Sequence, residues 1–279
     1  MSGIMAGIGS FPLAVSRLIV YLVFTFLCMP VQIVAIALGT SFRTRFPVWY
    51  HRRCLRLLGV QIEQWGERST LHPTLFIANH GGYIDISLLG ALIPGSFVAK
   101  SEVGTWPLFG WLAKLQRTVF VDRKRGSTHT QRDDISSRLH AGDNLILFPE
   151  GTSSDGNRVL PFKSALFSVA AIETGHGPLV VQPVSIAYTM INGIPMGRAL
   201  RPFLAWYGDM EMGGHLLRLA GLGKITIAVT FHPPVTLKQL GSRKALATHC
   251  ESVISKSLAA ALSGRPAAPL PTPSATGAE

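Results

Sequence analysis

The chemistry in this 279-residue chain concentrates first at Asn79-His80-Gly81-Gly82-Tyr83-Ile84-Asp85, which follows the apolar run Phe76-Ile77-Ala78. A strand that ends at Asn79 places His80 on a strand-to-helix turn, with Gly81 and Gly82 allowing a sharp bend. Residues five apart on a regular helix point about 140° away from each other, so within one helix His80 and Asp85 would not meet. With His80 on the turn and Asp85 in the first helical turn, the carboxylate can reach back to the imidazole. Such a pair fixes the ring tautomer and makes the second nitrogen a general base toward a hydroxyl. The plainer alternative is a loop histidine with Asp85 favouring the helix N-terminus.

A second block, Leu145-Ile146-Leu147-Phe148-Pro149-Glu150-Gly151-Thr152, repeats the pattern of an apolar strand ending in a polar turn. Glu150 is thereby expected near His80, at the carboxyl edge of the sheet, where open α/β sheets build their sites. It would contact acceptor hydroxyls or orient the loop, Gly151 would allow close backbone approach, and a simple tight turn is the competing reading. Lys100 follows the strand Ser96–Ala99 and Arg123 closes the strand Thr118–Asp122, so both belong at that edge. Lys100 could stabilise charge developing on a thioester oxygen, and Arg123 could grip an anionic headgroup with its two-pronged donor.

The elements that must hold these groups alternate. Strands are expected at Thr74–Ala78, Ser96–Ala99, Thr118–Asp122, Asn144–Phe148, Val180–Tyr188 and Ile225–Phe231. Helices are expected at Asp85–Leu92, Trp106–Leu115, Thr128–His140, Lys163–Glu173 and Leu237–Leu262. This order implies an α/β fold, a mainly parallel sheet with flanking helices. The domain occupies residues 60–262, and the Pro/Ala/Ser-rich tail 263–279 is expected to be disordered.

Ahead of that domain, residues 18–40 contain no charged residue. As a helix they would be about 35 Å long, enough to cross a hydrocarbon core, and too long for the apolar part of a signal peptide. Pro30 would kink this helix or divide it into a hairpin, so residues 1–42 form a membrane helix or helical hairpin. Arg43, Arg45, Arg52, Arg53 and Arg56 follow, among Trp49, Tyr50 and leucines, which describes a basic interfacial helix over residues 43–59. The positive-inside rule puts the domain after it on the cytoplasmic side.

Charged residues are only 15% of the chain while apolar residues are 47%, and the net charge is +11. That balance suits an anionic bilayer or an acidic carrier; the basic cluster adjoins an apolar segment rather than a recognition element, which argues against nucleic acid. Cys28, Cys54 and Cys250 form no CxxC pair, and no HExxH, Walker or GxGxxG pattern occurs, so no metal and no cofactor is expected.

Taken in order, Asn79-His80-x-x-x-x-Asp85, Val119-Phe120-Val121-Asp122-Arg123, Phe148-Pro149-Glu150-Gly151-Thr152 and Val181-Gln182-Pro183-Val184 resemble the glycerolipid acyltransferase superfamily, over roughly residues 45–235. The resemblance implies a one-step transfer in which His80, paired with Asp85, deprotonates a lysolipid hydroxyl that attacks the thioester of acyl-CoA or acyl carrier protein. It implies substrate-binding roles for Lys100, Arg123, Glu150, Gly151 and Thr152. Absence of the nucleophile-elbow pattern GxSxG agrees with a mechanism lacking an acyl-enzyme. One departure bears on the acceptor: phosphate-using members commonly carry Arg after Glu-Gly-Thr, and here it is Ser153. The chain looks most like the bacterial lyso-ornithine lipid O-acyltransferase branch, which implies the bacterial inner membrane; a 1-acyl-sn-glycerol-3-phosphate acyltransferase is the alternative. A thioesterase or lipase, and a non-enzymatic lipid-binding protein, are the rivals from other classes. The thioesterase leaves the acceptor blocks unexplained, and a binder does not require both His80 and Asp85.

Overall fold

The computed structural model describes residues 9–121, 128–175 and 177–265. The chain begins with two helices, α1 (Phe11–Ala37) and α2 (Phe42–Leu57), followed by strand β1 (Val60–Trp65). Strand β2 (Thr74–Ala78) then leads into α3 (Ile84–Leu92), β3 (Gly95–Lys100), α4 (Phe109–Leu115) and β4 (Val119–Val121). The second half contributes α5 (Thr128–His140), β5 (Asn144–Leu147), β6 (Val180–Ile191), α6 (Met212–Gly221), β7 (Ile225–Phe231), α7 (Leu237–Leu240) and α8 (Arg243–Leu262).

The main sheet runs in the order β1-β7-β6-β2-β5-β3-β4, with the two-residue strands Ile194–Pro195 and Val235–Thr236 both paired to β6. β6, β2, β5, β3 and β4 run parallel to one another, β7 runs antiparallel to β6, and β1 is parallel to β7. The mainly parallel α/β sheet expected from the alternation is therefore present. β2 at its centre is buried along its whole length. Phe76 and Ala78 face one core, with α3 and the first two helices; Leu75 and Ile77 face the other, with α5 and α8. A strand buried on both faces has to read as a continuous apolar run, as this one does.

Several boundaries differ from the sequence reading. β1 and α6 were not anticipated. Residues 164–171 form a 3-10 helix rather than an α-helix, and 3-10 geometry also occupies Ser101–Thr105 ahead of α4. The long C-terminal helix is broken at Gly241, whose φ of +78° ends α7, and Ser242 caps α8 by accepting from the Ala245 N–H. Pro30 lies inside α1 without dividing it, so Phe11–Ala37 is one helix and not a hairpin broken at the proline. The expected disordered tail lies, apart from residues 263–265, outside the described residues.

α1 is tied down along its length. The Ser10 N–H donates to the Gly221 carbonyl (2.9 Å), and the Arg17 guanidinium donates to the carbonyls of Ala220 and Leu222. Thr25 and Tyr50 share a hydroxyl–hydroxyl bond of 2.9 Å, and the Gln32 amide donates to the carbonyls of Arg43 and Leu115. Its inner stripe is Ala14, Thr25, Cys28, Gln32 and Ala35, whereas Ile19, Val23, Phe26, Leu27 and Val34 on the outside are at least half exposed.

Candidate active site

β2 stops at Ala78, and Asn79 fixes the exit of the chain. Its amide donates to the Ile186 carbonyl (2.9 Å) and its side-chain oxygen accepts from the Ile186 N–H (2.8 Å), so the residue clamps the strand end to β6. His80 then sits on the turn as expected, with α3 starting at Ile84 and Asp85 in its first turn. The His80 Nδ1 and Asp85 Oδ2 are 2.9 Å apart. Asp85 is wholly buried, and a buried carboxylate has to find donors in place of water. It finds four: His80 Nδ1, the backbone N–H groups of Gly81 (2.7 Å) and Gly82 (3.0 Å), and the Tyr188 hydroxyl on Oδ1 (2.7 Å).

Because an ionised carboxylate only accepts, Nδ1 carries the ring proton and Nε2 keeps its lone pair. Among the described residues Nε2 has no hydrogen-bond partner, and the side chain retains 18% exposure. The ring stacks on Phe148 at the end of β5, centroids 4.1 Å apart. The arrangement leaves Nε2 open on an imidazole whose other nitrogen is held, which is what a general base toward a hydroxyl requires.

The two glycines serve a different purpose from the one expected. Neither has positive φ. A Cβ on Gly81 would lie 2.7 Å from the Tyr188 hydroxyl, and one on Gly82 would lie 2.8 Å from the Trp206 backbone nitrogen. The turn needs glycine because β6 and the Trp206 loop press against it, and the Trp206 N–H donates to the Gly81 carbonyl.

Glu150 follows the neighbouring strand β5 and comes to His80, as the sheet edge predicted. One of its oxygens accepts from the His80 N–H (2.7 Å) and the other from the Leu160 N–H (2.9 Å). Buried at 2% exposure, with burial pushing its pKa up to about 8, it braces the turn. These two contacts are of the kind the loop-orienting role requires. Gly151 adopts φ +66°, a left-handed conformation that favours glycine, and Thr152 is exposed. The Ser154 N–H closes the loop back onto the His80 carbonyl (2.8 Å). Lys100 ends β3, two strand spacings or about 10 Å from β2, at the same edge. Arg123 lies outside the described residues.

Sequence reasoning did not find Tyr188. The only signal was its place at the end of the expected strand Val180–Tyr188, and the residue lies 103 positions from the carboxylate it serves. Phe148 stands in the Phe-Pro-Glu-Gly-Thr motif, and its contact with the His80 ring is not legible from the motif.

An acyltransferase family model matches residues 60–187, the stretch that carries β2, the His80 turn, Asp85 and β5 and ends one residue before Tyr188. A lyso-ornithine lipid O-acyltransferase of Brucella abortus is 46% identical, over 85% of this chain and 90% of its own length. The chain belongs to the acyltransferase family. A second lyso-ornithine lipid O-acyltransferase, from Rhizobium meliloti, is 41% identical to this acyltransferase over 85% of the chain and 82% of the relative. A 1-acyl-sn-glycerol-3-phosphate acyltransferase of Neisseria meningitidis is 33% identical over 68% and 71%. In fold, the enzyme matches the crystal structure of the 1-acyl-sn-glycerophosphate acyltransferase of Thermotoga maritima with a TM-score of 0.58. That match, at 22% identity, covers 88% of this chain and 95% of the other.

Proposed function

We propose that this acyltransferase moves a fatty acyl group from acyl carrier protein or acyl-CoA to the hydroxyl of a lysolipid, with lyso-ornithine lipid as the preferred acceptor. The observation that carries the reaction is the unpaired Nε2 of His80, whose opposite nitrogen is held by Asp85. Nε2 takes the proton of the acceptor hydroxyl as its oxygen attacks the thioester carbonyl carbon. The C–S bond then breaks, and the imidazolium returns the proton to the leaving thiolate. Throughout, Asp85 faces the positive charge that grows on the ring.

Space for the acyl chain adjoins the turn. A cavity of about 200 Å³ takes Tyr83, Ile84 and Ser87 from the turn and α3 as one wall, with Leu18, Met29, Phe97 and Leu112 among the residues opposite. Its surface is overwhelmingly hydrocarbon, which suits a fatty chain and offers little to a polar substrate. Lys100 is assigned to the thioester oxygen, and Arg123, Gly151 and Thr152 to the acceptor.

The membrane reading rests on α1. Bonded to the domain from residue 10 to residue 32, it lies along the protein instead of standing away from it. Its apolar outer face is therefore immersed in one leaflet, with the basic residues of α2 at headgroup level. The location favoured is the cytoplasmic face of a bacterial inner membrane.

For the acceptor, two lyso-ornithine lipid O-acyltransferases align over most of both chains. Ser153 supplies no cation where a phosphate would want one, and it forms no side-chain hydrogen bond among the described residues. The test compares lyso-ornithine lipid with lysophosphatidic acid, using one acyl donor. Higher kcat/KM on the ornithine lipid is expected, and Ser153→Arg should shift the ratio toward the phosphate by about ten- to a hundredfold. Preference of the unmodified enzyme for lysophosphatidic acid would overturn the acceptor assignment and leave the base intact.

A further inference from the structure

At the opposite edge of the sheet from His80, where β3 and β5 begin, lies a second cleft of about 300 Å³. Its floor includes Gly95 and Asn144, the first residues of those strands, and its rim carries Arg43 and Arg45 from the first turn of α2. The six residues of β3 put it about 20 Å from the catalytic edge. It is therefore a separate site from the one that holds the acceptor. Pro47 and Gln116 line both this cleft and the acyl cavity and so form the partition between them.

The charges are unbalanced. Asp143, the acidic residue in the cleft, accepts from both Arg117 and Arg138 (3.0 Å for the latter). Two cations on one anion leave that group positive. Neither the Arg43 nor the Arg45 guanidinium has a hydrogen-bond or ion-pair partner among the described residues, Arg43 being half-buried and Arg45 exposed. His72 spends Nδ1 on the Asn144 side-chain oxygen (3.1 Å), and among the described residues lining the cleft Asp143 is the one carboxylate. Arg43 and Arg45 both line the cleft, and each carries a planar donor fork of the kind that fits phosphate oxygens.

The surroundings identify what carries the anion. Leu38, which caps the end of α1, and Phe42, which opens α2 one residue before Arg43, are 71% and 48% exposed. Phe42, Arg45 and Trp49 lie on one face of α2, and Arg53 sits over the Trp49 ring at 5.6 Å. Apolar side chains, an interfacial tryptophan and cations in this sequence match the profile of a lipid from tail to headgroup. We propose that the cleft is a headgroup site for an anionic membrane phospholipid, its phosphodiester held by Arg43 and Arg45 and its chains lying along Leu38 and Phe42. This rests on the membrane placement of α1, and it would fix how deep and at what tilt the catalytic edge meets the bilayer.

The test uses the full chain purified in detergent and titrated with dihexanoyl phosphatidylglycerol, dihexanoyl phosphatidylcholine and inorganic phosphate. Saturable binding of phosphatidylglycerol is expected, at least about tenfold tighter than either of the others. Arg43→Gln with Arg45→Gln should weaken it about tenfold or more, while the charge-matched pair Lys244→Gln with Lys256→Gln, exposed on α8 away from the cleft, should change it less than about threefold. Equal loss from the two pairs would mean diffuse attraction and overturn the site, and inorganic phosphate binding as tightly as the lipid would overturn the lipid assignment. Flotation on vesicles of phosphatidylcholine alone reports the apolar face of α1 separately. Failure there counts against the membrane placement; loss of the saturable phosphatidylglycerol site with flotation intact counts against this inference.

Discussion

Asp85→Asn separates what the carboxylate does for catalysis from what it does for the fold. Three donors converge on Oδ2: His80 Nδ1, Gly81 N–H and Gly82 N–H. An asparagine has to put its carbonyl oxygen there, since an NH₂ group would face two backbone donors. Its NH₂ then points at Tyr188, whose hydroxyl can turn and accept. All four contacts survive, His80 keeps its tautomer, and the fold should lose little. Only the charge is gone. An imidazolium about 4 Å from a carboxylate gains about 4 kcal/mol at an effective dielectric of about 20, and part of that is recovered by the remaining neutral hydrogen bond. A fall in kcat of about 10²–10³ is expected, with KM for the acyl donor nearly unchanged. Asp85→Ala, in contrast, strands the four donors in a buried site and should cost several kcal/mol of stability as well as activity. The assay is transfer of labelled acyl groups to a lysolipid in detergent, with thermal unfolding measured on the same preparations. Wild-type turnover by the Asn variant would reduce Asp85 to a brace and remove the dyad from the mechanism. An Asn variant as unstable as the Ala variant would refute the hydrogen-bond account.

Tyr188→Phe leaves Asp85 Oδ1 without a donor, and loss of a bond to a charged group is worth about 1.5–3 kcal/mol. Unfolding temperature and kcat should both fall, and a variant indistinguishable from wild type would show the phenol to be packing alone. Gly82→Ala drives a methyl into the Trp206 backbone and should destabilise by about 1–3 kcal/mol, measurable as a lower unfolding midpoint. Glu150 is raised to about 8, so the native state holds a proton that the unfolded chain gives up above about 4.5. Its contribution to stability is complete below about 4.5 and is lost as pH rises toward 8. Comparing unfolding temperatures at pH 5 and pH 8.5, wild type should lose more than Glu150→Gln; parallel curves would contradict the burial argument.

The sequence by itself determined the elements whose signals are local. β2 and β7 read as apolar and β-branched runs without a charge because both are buried on two faces, and their bounds at Thr74–Ala78 and Ile225–Phe231 emerge as the pattern predicts. The His80–Asp85 pairing was legible for the same reason: five residues across one strand-to-helix turn leave few ways for the two side chains to lie. β1 escaped notice because it is an edge strand whose sequence VQIEQW buries only its first residue. α6 escaped because MGGHLLRLAG carries two glycines in its first turn, so the Glu211 cap and packing against α1 make the helix, not propensity. Tertiary structure alone decided what completes the site. Tyr188 reaches Asp85 only because β6 pairs in parallel with β2, and Glu150 reaches the His80 N–H only because β5 pairs on the other side. Strand order is set by which faces must be buried together across the whole domain, and no local window of sequence carries that information. The path of α1 has the same origin. Its composition allows a membrane crossing, and only the bonds from Ser10, Arg17 and Gln32 to distant carbonyls lay it along the domain.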